Sequence, residues 1–314
     1  MQIMRFSRTD VHQHVWTEDL VAALAARDEL PFVRRESCAV LHLAGEAPYV
    51  IDLEAEAPAA RTRLLDGDRV GRALVCLSSP LGIEWLPRHE ALRVIDAYHD
   101  GALALGERFG VWGAVPLSAP DPDDVDRALA RGCVGVSLPA GALADATALT
   151  HVGALLGRLQ ERGAPLLVHP GPGPRDRGFA ASLSEPLWWP ALTRYIAGMQ
   201  AAWLTFATTA RPHLPELRVV FAALAGLAPL HAERLRSRAG MLVDRDGLTF
   251  YETSSYGPRA VAAMAATVGS SQLLYGSDRP VADPGETGLL GALDWGSVLA
   301  ATHAALDRPA LAVA

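Results

Sequence analysis

Four residues in this chain have the type and the setting to hold a metal ion. They are His12 and His14 in the run TDVHQHV (9–15), His169 at the end of APLLVHP (164–170), and Asp278, which directly follows SQLLYGS (271–277). His-x-His on a strand turns both imidazoles to one face, because strand side chains repeat every second residue. Two imidazoles on one face can share an ion, and a third imidazole with a carboxylate completes a His₃Asp shell suited to Zn²⁺ or a similar divalent ion. The pair alone has a second reading, two strand histidines that hydrogen-bond locally. The metal reading is favoured because His169 and Asp278 each close an independent apolar run.

These residues need a scaffold that brings separate strand ends together. Further short apolar runs occur at 72–78, 111–117, 133–139, 217–224 and 248–255. Such near-continuous runs suit parallel strands buried on both faces. Helical stretches lie between them. Asp121-Pro-Asp-Asp supplies a capping residue and a first-turn proline, and residues 145–163 carry Leu149, Val152, Leu155, Leu156 and Leu159 at helical spacing before Gly163. Residues 188–209, 229–238, 258–268 and 295–306 also read as helices. About eight strand–helix units predict an α/β fold, a (β/α)₈ TIM barrel forming one domain over 1–314, whose strand ends converge on one mouth. A doubly wound sheet is the competing architecture, but its Gly-rich first turn is missing. Residues 39–53 break the rhythm and read as a small β insertion after the first strand, with two antiparallel strands around Gly45–Pro48.

Composition narrows the chemistry. The 314 residues carry 28 basic and 35 acidic side chains, net charge −7, with no basic stripe, so a nucleic-acid partner is not expected. Every basic residue apart from histidine is arginine; the absence of lysine removes Schiff-base chemistry, the P-loop lysine and a carboxylated lysine bridging two metals. Three cysteines are too few and scattered for a disulfide framework, and Cys76 and Cys133 read as small buried hydrophobes. The first residues lack the apolar core of a signal peptide, and no stretch is long and apolar enough to span a bilayer, so a cytoplasmic protein without a membrane partner is expected.

Asp10-Val-His-Gln-His, Leu167-Val-His-Pro-Gly and Tyr275-Gly-Ser-Asp-Arg-Pro, in this order and spacing, resemble the amidohydrolase superfamily. They are most similar to its mononuclear, amidohydrolase 2 branch of hydrolases and aromatic-acid decarboxylases. The resemblance covers roughly residues 10–280. It implies a metal-dependent barrel with one divalent ion, Zn²⁺ first and Mn²⁺ second, held by His12, His14, His169 and Asp278. Asp278 would also accept a proton from the attacking water. A small-molecule substrate and a homodimer are implied as well. The chain departs from the pattern at Ala223, where the family places a histidine used for proton transfer. His231, in the first turn of the next helix, is the candidate substitute, with His213 behind it.

Secondary candidates surround this set. Trp188 and Trp189 offer an aromatic wall for substrate, or anchor the helix that follows. Arg279 suits a substrate carboxylate, whereas Arg175 and Arg177 read first as solvated loop residues. Tyr256 is placed to line the mouth, and Glu252 to point into it or to orient a metal ligand. The leading expectation is a metal-dependent hydrolase of a small organic acid, amide or lactone. The alternatives are a non-oxidative decarboxylase and a barrel that binds without turnover.

Overall fold

A computed structural model describes residues 8–174, 176, 185–186, 188–242, 246–284, 291 and 293–307. Its central element is a ring of parallel strands. The first is β1, Thr9–Gln13. Three short strands outside the ring follow: β2 (Phe32–Arg35), β3 (Ala39–His42) and β4 (Tyr49–Ile51). The ring continues with β5 (Arg72–Val75), β6 (Phe109–Gly113), β7 (Gly135–Pro139), β8 (Leu166–His169), β9 (Val219–Phe221), β10 (Thr249–Glu252) and β11 (Leu273–Leu274). The eight ring strands pair in the order β1-β5-β6-β7-β8-β9-β10-β11. The ring closes where Val11 N–H donates to the Tyr275 carbonyl at 2.9 Å and Asp278 N–H to the His12 carbonyl at 2.9 Å. This is the (β/α)₈ barrel that the alternating runs predict.

The ring strands are buried on both faces, as the runs require. Val11, Leu74, Val111, Val136, Leu167 and Val220 are fully buried. Trp112 spans the interior and donates its indole N–H to the Val11 carbonyl at 2.9 Å. Outside, helix Ala146–Glu161 begins at Asp145, whose side chain accepts from Ala148 N–H, and it buries Leu149, Val152, Leu155, Leu156 and Leu159. At about 2 kcal/mol per buried aliphatic side chain, that stripe contributes on the order of 10 kcal/mol before chain entropy is counted. Among the described residues no helix is long and apolar enough to cross a membrane.

Several elements differ from expectation. The insertion is larger than 39–53: β2 pairs antiparallel with β3, from Phe32 opposite His42 to Arg35 opposite Ala39, and β3 pairs with β4. The charged Arg34 and Arg35 conceal β2 from a hydrophobic reading. Residues 188–209 are not one helix. Thr193 leaves helical geometry at φ −121°, separating Trp189–Leu192 from Arg194–Thr205. A wide turn at Phe206–Ala210 then ends the second piece. The helix expected over 229–238 is Ala232–Ala239, preceded by a left-handed turn in which Ala223, Leu224, Ala225, Gly226 and Leu227 all have φ between 47° and 62°. Four of those residues carry a Cβ, so this turn costs roughly 1–2 kcal/mol at each of them. It is held by Gln200, whose amide donates to the Gly226 carbonyl at 2.8 Å.

The insertion lies against the barrel mouth. Arg194, on the helix that follows the loop after β8, donates to the Gly45 carbonyl at 3.4 Å. Trp16, just beyond β1, faces Tyr49 of β4 with ring centroids 6.0 Å apart.

Candidate metal centre

The strand ends bring the three predicted histidines into one buried cluster. His12 and His14 are 2% exposed and His169 is 5% exposed. Their ring centroids are 5.1, 4.8 and 4.9 Å apart, and each pair of rings is close to perpendicular. Asp278 joins them: its Oδ1 lies 3.1 Å from His14 Nε2 and 3.6 Å from His12 Nε2, and those two nitrogens are 3.3 Å apart. Donors sharing a metal at ~2.0–2.2 Å stand roughly 3.0–3.5 Å from one another, so this triangle has the size of a coordination shell.

The far nitrogen of each ring is fixed by an acceptor. His12 Nδ1 donates to Glu252 Oε2 at 3.0 Å, His14 Nδ1 to the Cys76 carbonyl at 3.0 Å, and His169 Nδ1 to the Pro170 carbonyl at 2.8 Å. Carbonyls and carboxylates only accept, so the proton of each neutral ring sits on Nδ1 and the Nε2 lone pair is left free. His12 and His14 therefore direct two lone pairs at each other across 3.3 Å. Two neutral rings so placed repel each other unless a proton or a metal ion lies at the nitrogens. The donor set thus fits a divalent ion.

The local electrostatics agree. Burial opposes protonation of His12, but Glu252 and Cys76 outweigh it and raise its pKa well above the ordinary value. Burial likewise opposes protonation of His14, which Cys76 and Asp278 push up to about 10. His169 goes the other way, pushed well down by burial and by its two histidine neighbours. Burial alone would raise Asp278, but its contact with His14 and the surrounding imidazoles hold it below the usual carboxylate range. The pocket attracts positive charge yet cannot seat three imidazolium ions, and one divalent ion on neutral rings satisfies both conditions.

A second layer anchors these groups. Glu252, at the end of β10, also accepts from Ala223 N–H at 3.1 Å and from Ser254 Oγ at 2.8 Å. It orients a predicted ligand, as its position in the sequence suggests. Gly276 makes room for it: a Cβ there would lie 2.1 Å from Glu252 Oε1. Under β1, Asp10 accepts from His12 N–H and Ser277 N–H, each at 3.1 Å, and from Gln13 Nε2 at 2.8 Å. Burial raises Asp10 to about 6 against those bonds. Arg61, 1% exposed, reaches in from helix Pro58–Gly67 and donates to Gln13 Oε1 at 2.6 Å and to the His14 carbonyl at 2.9 Å.

The side chains of the remaining candidates make no described hydrogen bond to the cluster, although the Arg279 carbonyl accepts from His14 N–H at 2.7 Å. Arg279 forms a two-pronged pair with Asp68 at 2.7 and 3.1 Å and reaches Asp283 at 3.3 Å, so its guanidinium is engaged within the chain. Trp188 and Trp189 are 55% and 40% exposed, with ring centroids 5.6 Å apart, and form an aromatic surface rather than a core anchor. Tyr256 is half-buried after β10, and burial raises its hydroxyl pKa. His231 is exposed ahead of helix Ala232–Ala239. Arg175 and Arg177 lie outside the described residues.

The sequence reading missed two features. Cys76 is buried, as expected, but its Sγ lies 3.5 Å from His14 Nδ1, so it borders the cluster instead of filling core. Burial would raise the thiol, and His14 and His12 bring it down to about 7. No local signal separates it from a core cysteine within RALVCLS. Glu84 is 1% exposed and accepts from Ser79 Oγ at 2.8 Å, while its Oε2 has no hydrogen-bond partner among the described residues. Burial pushes its pKa up to about 7.

No family model matches the chain, and no curated protein matches it. Solved structures do match in fold. IDCase from Metarhizium anisopliae, in apo form, is 18% identical, with 95% of this chain and 90% of that one covered and a TM-score of 0.71. The 5-carboxyvanillate decarboxylase from Novosphingobium aromaticivorans, complexed with manganese and 4-hydroxy-3-methoxy-5-nitrobenzoic acid, is 16% identical over 94% of this chain and 92% of that one, TM-score 0.68. The 2,6-dihydroxybenzoate decarboxylase from Rhizobium is 15% identical over 93% and 95%, TM-score 0.66. At these identities the likeness establishes a shared fold over nearly the whole chain.

Proposed function

We propose that this chain is a member of the amidohydrolase superfamily and a mononuclear, metal-dependent hydrolase of a small organic acid, amide or lactone. The observation that carries the reading is the opposed His12 and His14 Nε2 pair at 3.3 Å, each ring already committed through Nδ1. His12, His14, His169 and Asp278 would hold the ion, Zn²⁺ in the first instance and Mn²⁺ in the second. Such an ion supplies Lewis-acid polarisation of a carbonyl and brings the pKa of water toward neutrality.

The chain's own groups do the rest. Asp278 is ionised, and with a side chain 18% exposed it is the member of the cluster most open to solvent. It takes the proton of the attacking water and passes it to the leaving group. Glu252 and the carbonyls of Cys76 and Pro170 keep the three rings in register, so no reorganisation is needed when charge develops. Trp188 and Trp189 offer a surface for an apolar or aromatic part of the substrate. Arg279 is less suited to a substrate carboxylate, because that contact would have to break its pair with Asp68.

Hydrolysis is favoured over decarboxylation by Ala223. Decarboxylation must deliver a proton to carbon, and the strand end that would carry an imidazole for this offers only a methyl group and a backbone N–H turned to Glu252. The second reading, a decarboxylase, has support in the two decarboxylases of the same fold. In that reading His231 would have to supply the proton.

The test is metal content by mass spectrometry after refilling with Zn²⁺ or Mn²⁺ and desalting, comparing the parent with a folded His12→Ala/His14→Ala variant. About one ion per parent chain and almost none in the variant supports the site. A folded parent that retains no ion under any refilling condition overturns it. Substrate screening then separates the readings, since release of CO₂ from an aromatic acid would displace hydrolysis.

A further inference from the structure

We propose that Ser79–Trp85 is a strap across the barrel mouth controlled by the protonation of Glu84: it stays shut while the carboxyl is neutral and lifts more often once the carboxyl is ionised. The inference stands apart from the metal reading and survives its failure.

The strap joins parts of the ring that are not neighbours. It follows β5, the second ring strand, and reaches the segment after β8, the fifth. On the way the Glu84 carbonyl accepts from Leu117 N–H, beyond β6, at 2.6 Å. At the far side the Trp85 indole N–H donates to the Pro172 carbonyl at 2.8 Å. Gly171 permits the crossing, because a Cβ there would lie 2.8 Å from the Cβ of both Ser79 and Pro139, the last residue of β7. His169 comes two residues before Gly171, so the strap covers the mouth on the β6–β8 side.

Its build suits movement. Two single helical turns, Ser79–Leu81 and Ile83–Trp85, meet at Gly82, whose φ of 67° is left-handed and costs glycine little. Turns of this kind open locally without unzipping a strand ladder. Leu81, Ile83 and Trp85 are buried and oppose that opening.

Glu84 supplies the trigger. Its carboxyl is buried, Ser79 Oγ donates to Oε1 at 2.8 Å, and Oε2 has no hydrogen-bond partner among the described residues. The charged and titratable groups packed around it do not pair with it. The Cys76 thiol, just beyond β5, raises its pKa further by charge. Arg88, on helix Arg88–Leu103, is turned to Asp124 at 2.7 and 2.9 Å. His151, on helix Ala146–Glu161, stacks on the Trp85 ring with centroids 6.0 Å apart and bonds through Nε2 to the Leu117 carbonyl at 2.7 Å. After β8, Asp176 accepts from Gly173 N–H at 2.7 Å. An unpaired buried carboxylate is costly, and lifting the strap returns it to water. Burial is the main cause that takes Glu84 from 4.5 up to about 7 while the strap is shut. Opening therefore grows as pH rises from 4.5 and levels off above 7. The gain is bounded by the ratio of the two acid constants, ten raised to the gap between those values, or about 300-fold.

Hydrogen exchange on the whole chain between pH 5 and 9, corrected for the exchange rate of an unfolded chain, tests this. The reporters are the backbone N–H groups of 80–86 and of Leu117, and helix Ala146–Glu161 is the reference. Protection of the strap in the parent should fall by about 10–100-fold over this range, with most of the loss complete by pH 7 to 8. Glu84→Gln, which can still accept from Ser79 but cannot ionise, should show no fall. Cys76→Ser and His151→Gln should retain it. Ser79→Ala removes a bond that favours the ionised form, so its fall should move to higher pH. Strap protection in the parent that is constant with pH, or that changes only in step with the reference helix, overturns the proposal. So does an equal fall in Glu84→Gln or its loss in Cys76→Ser or His151→Gln. If Glu84→Gln does not fold, an undisplaced fall in Ser79→Ala overturns it instead.

Discussion

Glu252 and His12 lie 240 positions apart in sequence, and a 3.0 Å bond joins them, Nδ1 to Oε2, with both side chains almost fully buried. The same oxygen accepts from Ala223 N–H, so one carboxylate sets a ring angle and caps a strained turn. Glu252→Gln keeps the size but removes the charge and turns an N–H either on the donors that share Oε2 or on Ser254 N–H, which Oε1 accepts from. Metal affinity should fall by about 10–100-fold, the usual cost of losing a partner behind a ligand. Competition against a chromogenic chelator measures it, and unchanged affinity would remove Glu252 from the site.

Gly276 should tolerate no side chain. A Cβ 2.1 Å from Glu252 Oε1 must displace that carboxylate or the strand. Gly276→Ala is expected to lose ~1–3 kcal/mol of stability by overpacking and to weaken metal binding alongside. Urea unfolding with and without Zn²⁺ reports both. A variant as stable and as tight as the parent would mean that β11 yields at no cost.

Glu84 links stability to pH. Its pKa rises from 4.5 unfolded to about 7 folded, with burial as the main cause. The folded state therefore binds the proton more tightly. Its contribution is fully present below pH 4.5 and is lost as pH rises through 7. Glu84→Gln, which can still accept from Ser79, cannot ionise. It should match the parent near pH 4 and exceed it at pH 8 by up to about 3 kcal/mol. Parallel stability curves for the two proteins would show that Glu84 is not buried as an acid.

Ligand linkage offers a readout that needs no substrate. An ion that binds only the folded chain adds RT ln(1 + [M]/Kd), about 2.7 kcal/mol at a hundredfold excess over Kd. Thermal unfolding should shift upward with Zn²⁺ in the parent and stay fixed in His12→Ala/His14→Ala. Equal shifts in both would place zinc elsewhere on the chain.

Once a hydrolysed substrate is in hand, Asp278→Asn should lower kcat by about 10²–10⁴ with little change in KM, if Asp278 moves the proton. A loss confined to KM would make it a binding group.

The clustering of the four candidate ligands was legible in the sequence, because two-residue strand periodicity and strand ends are local properties. His12, His14, His169 and Asp278 could be read without neighbours, and Glu252 nearly so. Cys76 could not. A cysteine in RALVCLS is indistinguishable from core until the next strand shows which face it borders. Arg61 was hidden for a related reason: a cation in a helix reads as solvated, and only the Asp10–Gln13 pair beneath β1 makes its burial intelligible. Helix 188–209 failed at Thr193, where the backbone turns although the apolar spacing continues. The left-handed turn at 223–227 has no local signature, since four of its five residues disfavour it and tertiary contacts hold it.

The ring closes between β1 and β11, and that seam is also where His12 and His14 meet Asp278. These are the first and last barrel strands along the chain. A ribosome delivers them at opposite ends of synthesis, so a nascent barrel lacking its final strand holds the histidine pair without its carboxylate. On the metal reading proposed above, the full shell would be complete only once the last strand is in place. An ion held there would act as a rivet across the final joint, and its retention would record that the whole barrel was made.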